Sequence, residues 1–217
     1  MQQFHKTPQG SKANFEGNEF WDRRFAETDY VYGTEPNAFF RSVIGKLKPG
    51  KLLLPAEGEG RNAVYAATRG WQVDAVDFSE SGRDKALRLA ADRQTSISYE
   101  LADATTYTSL KRYDLIGLFY FHLAPDRRRA AYRNYLPLLE TGGQLIAEFF
   151  HPDQLGNSSG GPKKLDWLIT PEELAETFHD LDIQLLERRE VELDEGSYHQ
   201  GQAVLTRFIG TKPPGKF

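Results

Sequence analysis

The chain has 217 residues, of which 39% are hydrophobic and 27% charged, a composition that predicts one soluble α/β domain. Its net charge of −4 argues against general nucleic-acid binding, which usually requires a basic face. Because the sequence contains no cysteine, disulfides, thiolate metal sites and cysteine nucleophiles are excluded. The N-terminus has no apolar signal region and no apolar run is long enough for a bilayer, so we expect a cytoplasmic protein.

The first part of the chain predicts an arm and two helices. Residues 1–18 are polar and aperiodic, which indicates a flexible N-terminal arm ahead of a single domain over 19–217. A short helix with an aromatic face is predicted over 20–25. A loop rich in Gly and Pro follows, and then a helix whose apolar stripe runs from Phe39 to Leu47.

Strands and helices then alternate. The predicted strands are 51–55, 73–77, 97–101, 113–120 and 144–150. The predicted helices between them are 61–69, 80–93 and 125–139. This alternation indicates a doubly wound, Rossmann-like α/β fold, with a mostly parallel sheet and helices on both faces.

The last third of the chain predicts a loop, a helix and a hairpin. Residues 151–164 read as a long flexible loop at the carboxyl end of the fifth strand, and they are a candidate lid. Thr170-Pro171-Glu172-Glu173 is a capping box that begins a helix. Strands over 183–192 and 202–210 are joined by too few residues for a crossover, so we expect an antiparallel hairpin.

A nucleoside site is predicted where the first strand enters a helix. Gly58 and Gly60 let the backbone turn tightly and approach a ligand. The helix that opens near Gly60 directs free N–H groups at the same ligand. Asp77 ends the next strand, where a carboxylate can accept both hydrogen bonds of a ribose diol.

These stretches resemble the class I S-adenosylmethionine-dependent methyltransferases, and within them the tellurite-resistance methyltransferase family. The matching segments are 32–37, 58–65, 71–77, 141–143 and 195–201. The resemblance implies a seven-stranded sheet that is parallel except for a C-terminal antiparallel hairpin. It also implies S-adenosylmethionine as cofactor, with S-adenosylhomocysteine as product, and an N-terminal segment that covers the cofactor.

The resemblance and the residue patterns together predict a cofactor site. The residues expected to bind the cofactor are Tyr32, Asn37, Glu57, Gly58, Gly60, Arg61, Asn62, Asp77, Phe78, Ser79, Asp103, Ala104, Phe119 and Phe121. By resemblance, Asp103 and the Ala104 N–H recognise the adenine. Phe119 and Phe121 are expected near the methyl group, because aromatic faces attract the sulfonium cation.

The first motif departs from the family pattern. The positions that usually hold an acidic residue and a glycine are Leu54 and Ala56 here. The missing acid normally helps to hold the cofactor's ammonium group. Glu57 lies in the same turn, and we expect it to supply that charge.

The candidate catalytic residues are His151, Tyr198 and His199, which come from the loop after the fifth strand and from the hairpin tip. A histidine there can act as a general base near neutral pH. No metal site is predicted. The expected partner is a small-molecule methyl acceptor, with no nucleic acid and no membrane, and the protein is expected to be a monomer or homodimer.

The predicted reaction is methyl transfer to a small O, N or S nucleophile or to a chalcogen oxyanion such as tellurite or selenite. The strand that ends at Tyr120 lacks an Asn/Asp-Pro-Pro-aromatic motif, which argues against methylation of amides or adenine amino groups. One alternative is an NAD(P)-dependent oxidoreductase, because Gly58-x-Gly60-x-x-Ala63 also satisfies the dinucleotide fingerprint. Another is a non-catalytic module that binds adenosylmethionine or adenosylhomocysteine.

Overall fold

The computed structural model describes residues 18–215, so the predicted arm lies outside the described residues except for Asn18, where the first helix begins. The helices are α1 (Asn18–Phe25), α2 (Ala38–Ile44), α3 (Arg61–Thr68), α4 (Glu80–Asp92), α5 (Pro125–Arg133) and α6 (Pro171–Thr177). The strands are β1 (Lys51–Pro55), β2 (Gln72–Asp77), β3 (Ser98–Leu101), β4 (Tyr113–Phe119), β5 (Leu139–Phe150), β6 (Asp182–Asp194) and β7 (Gln200–Thr211).

All seven strands form one sheet, in the order β3-β2-β1-β4-β5-β7-β6. The strands from β3 to β5 pair in parallel, and β7 is antiparallel to both β5 and β6. The predicted doubly wound sheet with its C-terminal hairpin is therefore confirmed. The strand order reverses between β1 and β4, and this reversal places a crevice for ligands at their carboxyl ends.

Strand β1 illustrates how both faces of the sheet are covered. Leu52, Leu53 and Leu54 are all fully buried. Because side chains alternate along a strand, Leu53 packs in the layer that contains Tyr132 of α5, while Leu52 and Leu54 pack in the layer that contains Phe40 of α2. Two packed layers hold the turns at the carboxyl edge in place.

Two predicted boundaries are wrong around Pro137. Helix α5 ends at Arg133 instead of continuing to 139, and a 3-10 turn over Leu136–Leu138 follows. Proline lacks the N–H that a helix interior needs and disfavours helical geometry at the preceding residue. Strand β5 begins at Leu139, which pairs with Tyr113 before a register shift, so it starts earlier than the predicted 144.

The predicted flexible loop over 151–164 is docked against β7 instead. A 3-10 turn over Pro152–Gln154 opens it, and the side chains of Gln154 and Ser159 are buried. Gln154 Oε1 accepts a hydrogen bond from Val204 N at 2.9 Å, and Ser159 Oγ donates to Gln202 O at 2.5 Å. The composition of this segment predicted mobility, but its polar side chains form hydrogen bonds with β7 and fix its position.

Half of the predicted capping box is present at α6, where Thr170 Oγ1 accepts a hydrogen bond from Glu173 N at 3.2 Å and Pro171 is the first helical residue, while the Glu173 carboxylate pairs with Arg128. At the other end of this region, the β6–β7 tip reaches the carboxyl edge of the sheet. A Cβ on Gly196 would lie 2.5 Å from Val31 O, so the tip is seated directly on the loop after α1.

Among the described residues, no helix has the length and apolar character needed to cross a membrane.

Candidate functional site

The glycine turn between β1 and α3 is bent as the sequence predicts. Gly58 and Gly60 have φ of +58° and +84°, a region that L-residues with a side chain seldom adopt. Gly60 packs so closely on α4 that a Cβ there would lie 2.4 Å from the Ala86 Cβ. Ala56, at the position that usually holds glycine in the resembling family, also has a positive φ, of +53°. The turn therefore has the expected geometry and carries local strain at Ala56.

Asp77 lies at the end of β2 and is 4% exposed. Its Oδ2 accepts a hydrogen bond from Gly58 N at 3.0 Å, and its Oδ1 accepts one from Ser79 N at 3.0 Å. Burial raises the pKa of Asp77, although these backbone donors act in the opposite direction. The Phe78 N–H also acts on this carboxylate, and a lone pair that remains can accept from a diol.

Glu57 lies in the turn with its carboxyl group directed at the start of α3. Its Oε1 accepts a hydrogen bond from Ala63 N at 2.7 Å, which satisfies one of the free donors of that helix. Burial raises the pKa of Glu57 to about 7, against the lowering effect of this hydrogen bond and of the Arg61 charge. A carboxyl group that is half-protonated near neutral pH responds strongly to an added cation.

The residues after β2 and β3 lie at the same edge. Ser79 begins α4 by accepting a hydrogen bond from Gly82 N at 3.0 Å, and Phe78 beside it is half-buried. Asp103 Oδ1 accepts from Thr105 N at 2.8 Å and from the Thr105 hydroxyl, while no described residue bonds to its Oδ2. Ala104 is buried. Asp103 thus holds its own turn and retains one free oxygen.

Phe119 ends β4 and Phe121 lies just beyond it, and the positive φ of Tyr120 between them accompanies their packing in two different core layers. Phe119 contacts Phe40, with ring centroids 5.4 Å apart, and Phe121 contacts Tyr132 at 5.8 Å. Both rings pack in the core, and their contact with the cofactor stays a prediction. Tyr120 lies between them with a positive φ of +52°, and its ring contacts residues of the site instead.

A buried polar network connects five elements at this edge. The Asn37 amide Nδ2 donates to Glu148 Oε1 at 2.6 Å and to Glu195 Oε1 at 3.0 Å. Arg61 forms a salt bridge of 2.9 Å with Glu195, and Arg207 forms one of 2.6 Å with Glu148. The two carboxylates are therefore matched by two arginines, which is what burial of charge requires.

Asn37, Arg61 and Asn62 were predicted to bind the cofactor, and the structure gives each of them a protein partner. Asn37 begins α2, since its Oδ1 accepts from Phe40 N, and its own N–H donates to Asn62 Oδ1 at 2.9 Å. Arg61 Nη1 also donates to Tyr32 O at 3.3 Å. These side chains join the N-terminal loop to the start of α3.

His199 is enclosed by this network and by aromatic rings. Its Nδ1 lies 3.4 Å from Glu195 Oε2, and its ring centroid lies 4.5 Å from Tyr32, 4.7 Å from Tyr120 and 5.3 Å from Phe150. Burial lowers the pKa of His199, so its imidazole is neutral at pH 7. For Glu195, burial alone would raise the pKa, but the His199 hydrogen bond and the Arg61 charge lower it to about 2.

The structure does not bring the other two candidate catalytic residues into this network. His151 Nδ1 accepts from Asp153 N at 3.0 Å and caps the 3-10 turn, and burial lowers the pKa of His151. Tyr198 is 38% exposed, and Arg24 lies 3.9 Å above its ring. Of the three candidates, only His199 lies beside the buried network.

Several residues of the site were missed by sequence reasoning. Glu59 forms a buried salt bridge of 2.7 Å with Lys85 and accepts from Val31 N at 2.9 Å. Glu148 interrupts the apolar run of β5, and a lone acid in such a run is the signal that could have found it. Phe25 of α1 packs on the glycine turn, since a Cβ on Gly58 would lie 2.7 Å from its ring.

Residues 55–143 match the family model described as a methyltransferase domain. This match covers 89 of the 217 residues. Together with the fold, this match supports the predicted class I S-adenosylmethionine-dependent methyltransferase and gives no support to an oxidoreductase. A search of curated proteins found no match.

Solved structures share the fold at low sequence identity. TehB from Haemophilus influenzae matches with a TM-score of 0.68 and 16% identity, over 90% of this chain and 66% of that chain. A protein described under the conversion of a disulfide bond into a thioacetal group during echinomycin biosynthesis matches with a TM-score of 0.75 and 14% identity, over 93% of each chain. The N-methyltransferase NodS from Bradyrhizobium japonicum WM9, in complex with S-adenosylhomocysteine, matches with a TM-score of 0.64 and 16% identity, over 90% and 99%.

The residues at the edge fit the cofactor of this class. A buried carboxylate with free lone pairs suits a ribose diol, the free Asp103 oxygen suits an exocyclic amine, and Glu57 suits an ammonium group. When bound, the cofactor supplies an electrophilic methyl group. Among the described residues, no group of His, Cys, Asp and Glu is arranged to hold a metal ion.

Proposed function

We propose that this methyltransferase transfers the methyl group to a small-molecule nucleophile held beside His199. The observation that carries the proposal is the Asp77 carboxylate, which is buried at the end of β2 and bonded to the glycine turn. Asp77 binds the ribose, and the amides of the turn approach the rest of the nucleoside. Of the predicted cofactor residues, Glu57, Gly58, Gly60, Phe78, Ser79, Asp103 and Ala104 keep this role in the proposal.

The acceptor side of the site is formed by the aromatic rings around His199. Tyr32, Tyr120 and Phe150 supply apolar walls that exclude water, and direct displacement needs mainly alignment in a dry site. TehB shares the fold of this chain, which supports the predicted resemblance.

Calorimetric titration with adenosylhomocysteine, adenosylmethionine and NAD tests the cofactor assignment. We expect micromolar binding of the first two ligands, which corresponds to roughly −8 kcal/mol. Tight binding of NAD without any response to adenosylhomocysteine would contradict the proposal.

Substitution of Asp77 by asparagine tests the ribose contact. The amide keeps one acceptor oxygen but loses the charge, so we expect binding of adenosylhomocysteine to weaken at least about tenfold, or about 1.4 kcal/mol. Because Gly58 N and Ser79 N both donate to Asp77, the melting temperature should fall as well. The matched control is Asp74→Asn at the opposite end of β2, where Asp74 pairs with Lys111; its ligand affinity should not change.

A further inference from the structure

The pair formed by Glu195 and His199 has a fixed geometry. Both side chains are buried at the tip of the β6–β7 hairpin, and the tip is closed by a hydrogen bond of 2.8 Å from Glu195 N to His199 O. Glu195 Oε2 lies 3.4 Å from His199 Nδ1 and accepts from Arg61 at 2.9 Å, while its Oε1 accepts from Asn37 at 3.0 Å. The carboxylate is thus held from three sides.

This geometry decides which imidazole nitrogen carries the proton. Glu195 is an anion with a pKa of about 2, so it accepts hydrogen bonds and does not donate them. A neutral imidazole beside it must place its proton on Nδ1. His199 Nε2 then has a free lone pair, and no described residue forms a hydrogen bond with it.

The segment 151–164 lies close to one edge of the His199 ring. A Cβ on Gly160 would lie 3.2 Å from Nε2 and 2.6 Å from Cδ2, so the docked segment passes directly over this edge of the ring. The charged groups that act on His199 are Glu195 on its own hairpin, Arg61 on α3 and Arg24 on α1. Tyr32 and Tyr120 also face the ring, and burial raises the pKa of both phenols, so they stay neutral.

We propose that Glu195 is the positioning residue that holds His199 with Nε2 as a general base, and that the acceptor is a nucleophile that still carries a proton at neutral pH. The inference rests on the proposed methyl transfer. The acceptor's O–H, N–H or S–H proton passes to Nε2, and its electron pair forms the new bond to carbon while the pair of the broken carbon–sulfur bond stays on sulfur. The imidazolium afterwards loses its proton to solvent.

This class of acceptor differs from a chalcogen oxyanion. Tellurite and selenite present lone pairs without a proton that must be removed, so they gain little from a base. The arginine nearest to His199 in the network, Arg61, is already neutralised by Glu195, and Arg207 is neutralised by Glu148. The paired charges therefore favour a neutral acceptor such as a phenol, an alcohol, a thiol or an N–H compound.

The first test is nitrogen NMR of the ligand-free protein, in which His199→Gln assigns the signal. We expect Nδ1 protonated and Nε2 unprotonated at pH 7. In Glu195→Gln the pKa of His199 should fall by about one unit or more, because the loss of the anion leaves the Arg61 charge unopposed. The matched control, Asp194→Asn, changes an exposed acid of the same hairpin and should leave the signal unchanged.

The second test measures adenosylhomocysteine release with phenol, 2-mercaptoethanol and aniline and, in parallel, with tellurite and selenite. We expect adenosylhomocysteine release only with proton-bearing acceptors, and we expect His199→Gln to abolish it. In Glu195→Gln the rate of release should be lower, and the acid limb of its pH profile should move to lower pH. Glu195→Asp should restore part of the rate.

Three outcomes would overturn the proposal: a proton on Nε2 in the wild type, a His199 pKa that Glu195→Gln leaves unchanged, or turnover of tellurite that survives His199→Gln. Binding of adenosylhomocysteine, measured by calorimetry, separates the two proposals. If the ligand binds and the His199 results disagree, only this inference fails. If adenosylhomocysteine does not bind the wild type, the proposed function fails first.

Discussion

At Glu57, burial and the end of a helix act on the same carboxyl group. The resembling family usually has an acid at the position of Leu54, and here Glu57 and Glu59 flank Gly58, with Glu59 already paired with Lys85. Glu57 accepts a hydrogen bond from Ala63 N in the first turn of α3, so the carboxyl group stabilises the start of this helix in the ligand-free protein. Its pKa of about 7 makes this charge sensitive to the ammonium group of the cofactor.

We expect adenosylmethionine to release a proton from Glu57 when it binds. An ammonium group beside the carboxyl group favours the ionised form, so on the order of half a proton should leave per site at pH 6.5. Calorimetry in two buffers with different ionisation enthalpies measures this release. It should disappear in Glu57→Gln and with methylthioadenosine, which lacks the amino group. Equal proton release from wild type and variant would contradict the role of Glu57.

The same group should make stability depend on pH. Because the pKa of Glu57 is about 7 in the folded protein and 4.5 in the reference state, the folded state binds more protons between these values. Its contribution to the free energy of unfolding is therefore present at low pH and falls as pH rises from about 4.5 to about 7, by at most about 3 kcal/mol. Urea unfolding at pH 5 and pH 8 should show a smaller decrease in Glu57→Gln. An equal decrease in the variant and the wild type would show that folding does not change the pKa of Glu57.

At the scale of elements, the segment 151–164 and the β6–β7 hairpin form one unit. Gln154 and Ser159 bond to β7, Gly161 packs on the Phe150 ring, and Gly160 lies over His199. The hairpin tip in turn rests on the loop after α1 through Gly196. Each of these contacts joins segments that are distant in sequence, so the position of His199 depends on the whole unit.

Gly160→Ala should displace the His199 ring. Gly160 has a φ of +117°, and a Cβ there would lie 2.7 Å from Tyr198 O as well as against the ring. We expect a loss of about 1–3 kcal/mol of stability, which is typical of backbone strain and overpacking. Methyl transfer should fall more than adenosylhomocysteine binding.

Gly156→Ala is the control for that substitution, because Gly156 has a φ of +100° but nothing within 4 Å of the added Cβ. Thermal unfolding of both variants, together with the His199 NMR signal, separates strain from displacement. If Gly156→Ala disturbs the His199 signal as much as Gly160→Ala does, direct contact with the ring is not the cause.

At the scale of the whole molecule, α1 closes the carboxyl edge of the sheet. Asp22 Oδ1 accepts from Ser79 Oγ at 2.6 Å and from Ser81 N at 3.1 Å, so it helps to cap α4. The Ser79 hydrogen bond lowers the pKa of Asp22, which keeps this cap charged at neutral pH. Phe25 lies against Gly58 and Gly82. The helix therefore contacts the same turn that the cofactor is expected to contact.

We expect adenosylhomocysteine to slow hydrogen exchange in α1. A ligand held between the turn and α1 adds contacts to a helix that otherwise depends on few of them. Phe25→Ala should raise exchange in α1 and weaken ligand binding several-fold, while Phe20→Ala, at a position that is 47% exposed, should change little. Exchange in β6 is the internal control. Identical exchange of α1 with and without saturating ligand would show that the cofactor does not contact it.

Much of the fold was predictable because its signals are local. The alternation of apolar strands and helices, Thr170 as a cap and the short link in the last hairpin each depend on neighbours in sequence. The errors at Leu139 and in the segment 151–164 arose where long-range pairing decided the outcome, whereas the end of α5 at Arg133 follows from the local effect of Pro137. Phe119 and Phe121 were chosen by residue type, and their packing against Phe40 of α2 and Tyr132 of α5 is decided by contacts between separate elements.

The sequence by itself determined the glycine turn, the acid at Asp77 and the class of fold, because each follows from strand and turn chemistry within about 30 residues, the length of one βαβ unit. Only the tertiary structure brought Glu195 and His199 to Arg61 and Asn37, more than a hundred residues earlier in the chain. Charge pairing in a buried network depends on distance in space, and a single sequence does not contain that distance. For the same reason the sequence predicted three candidate catalytic residues, and only the fold shows that one of them, His199, lies beside a carboxylate.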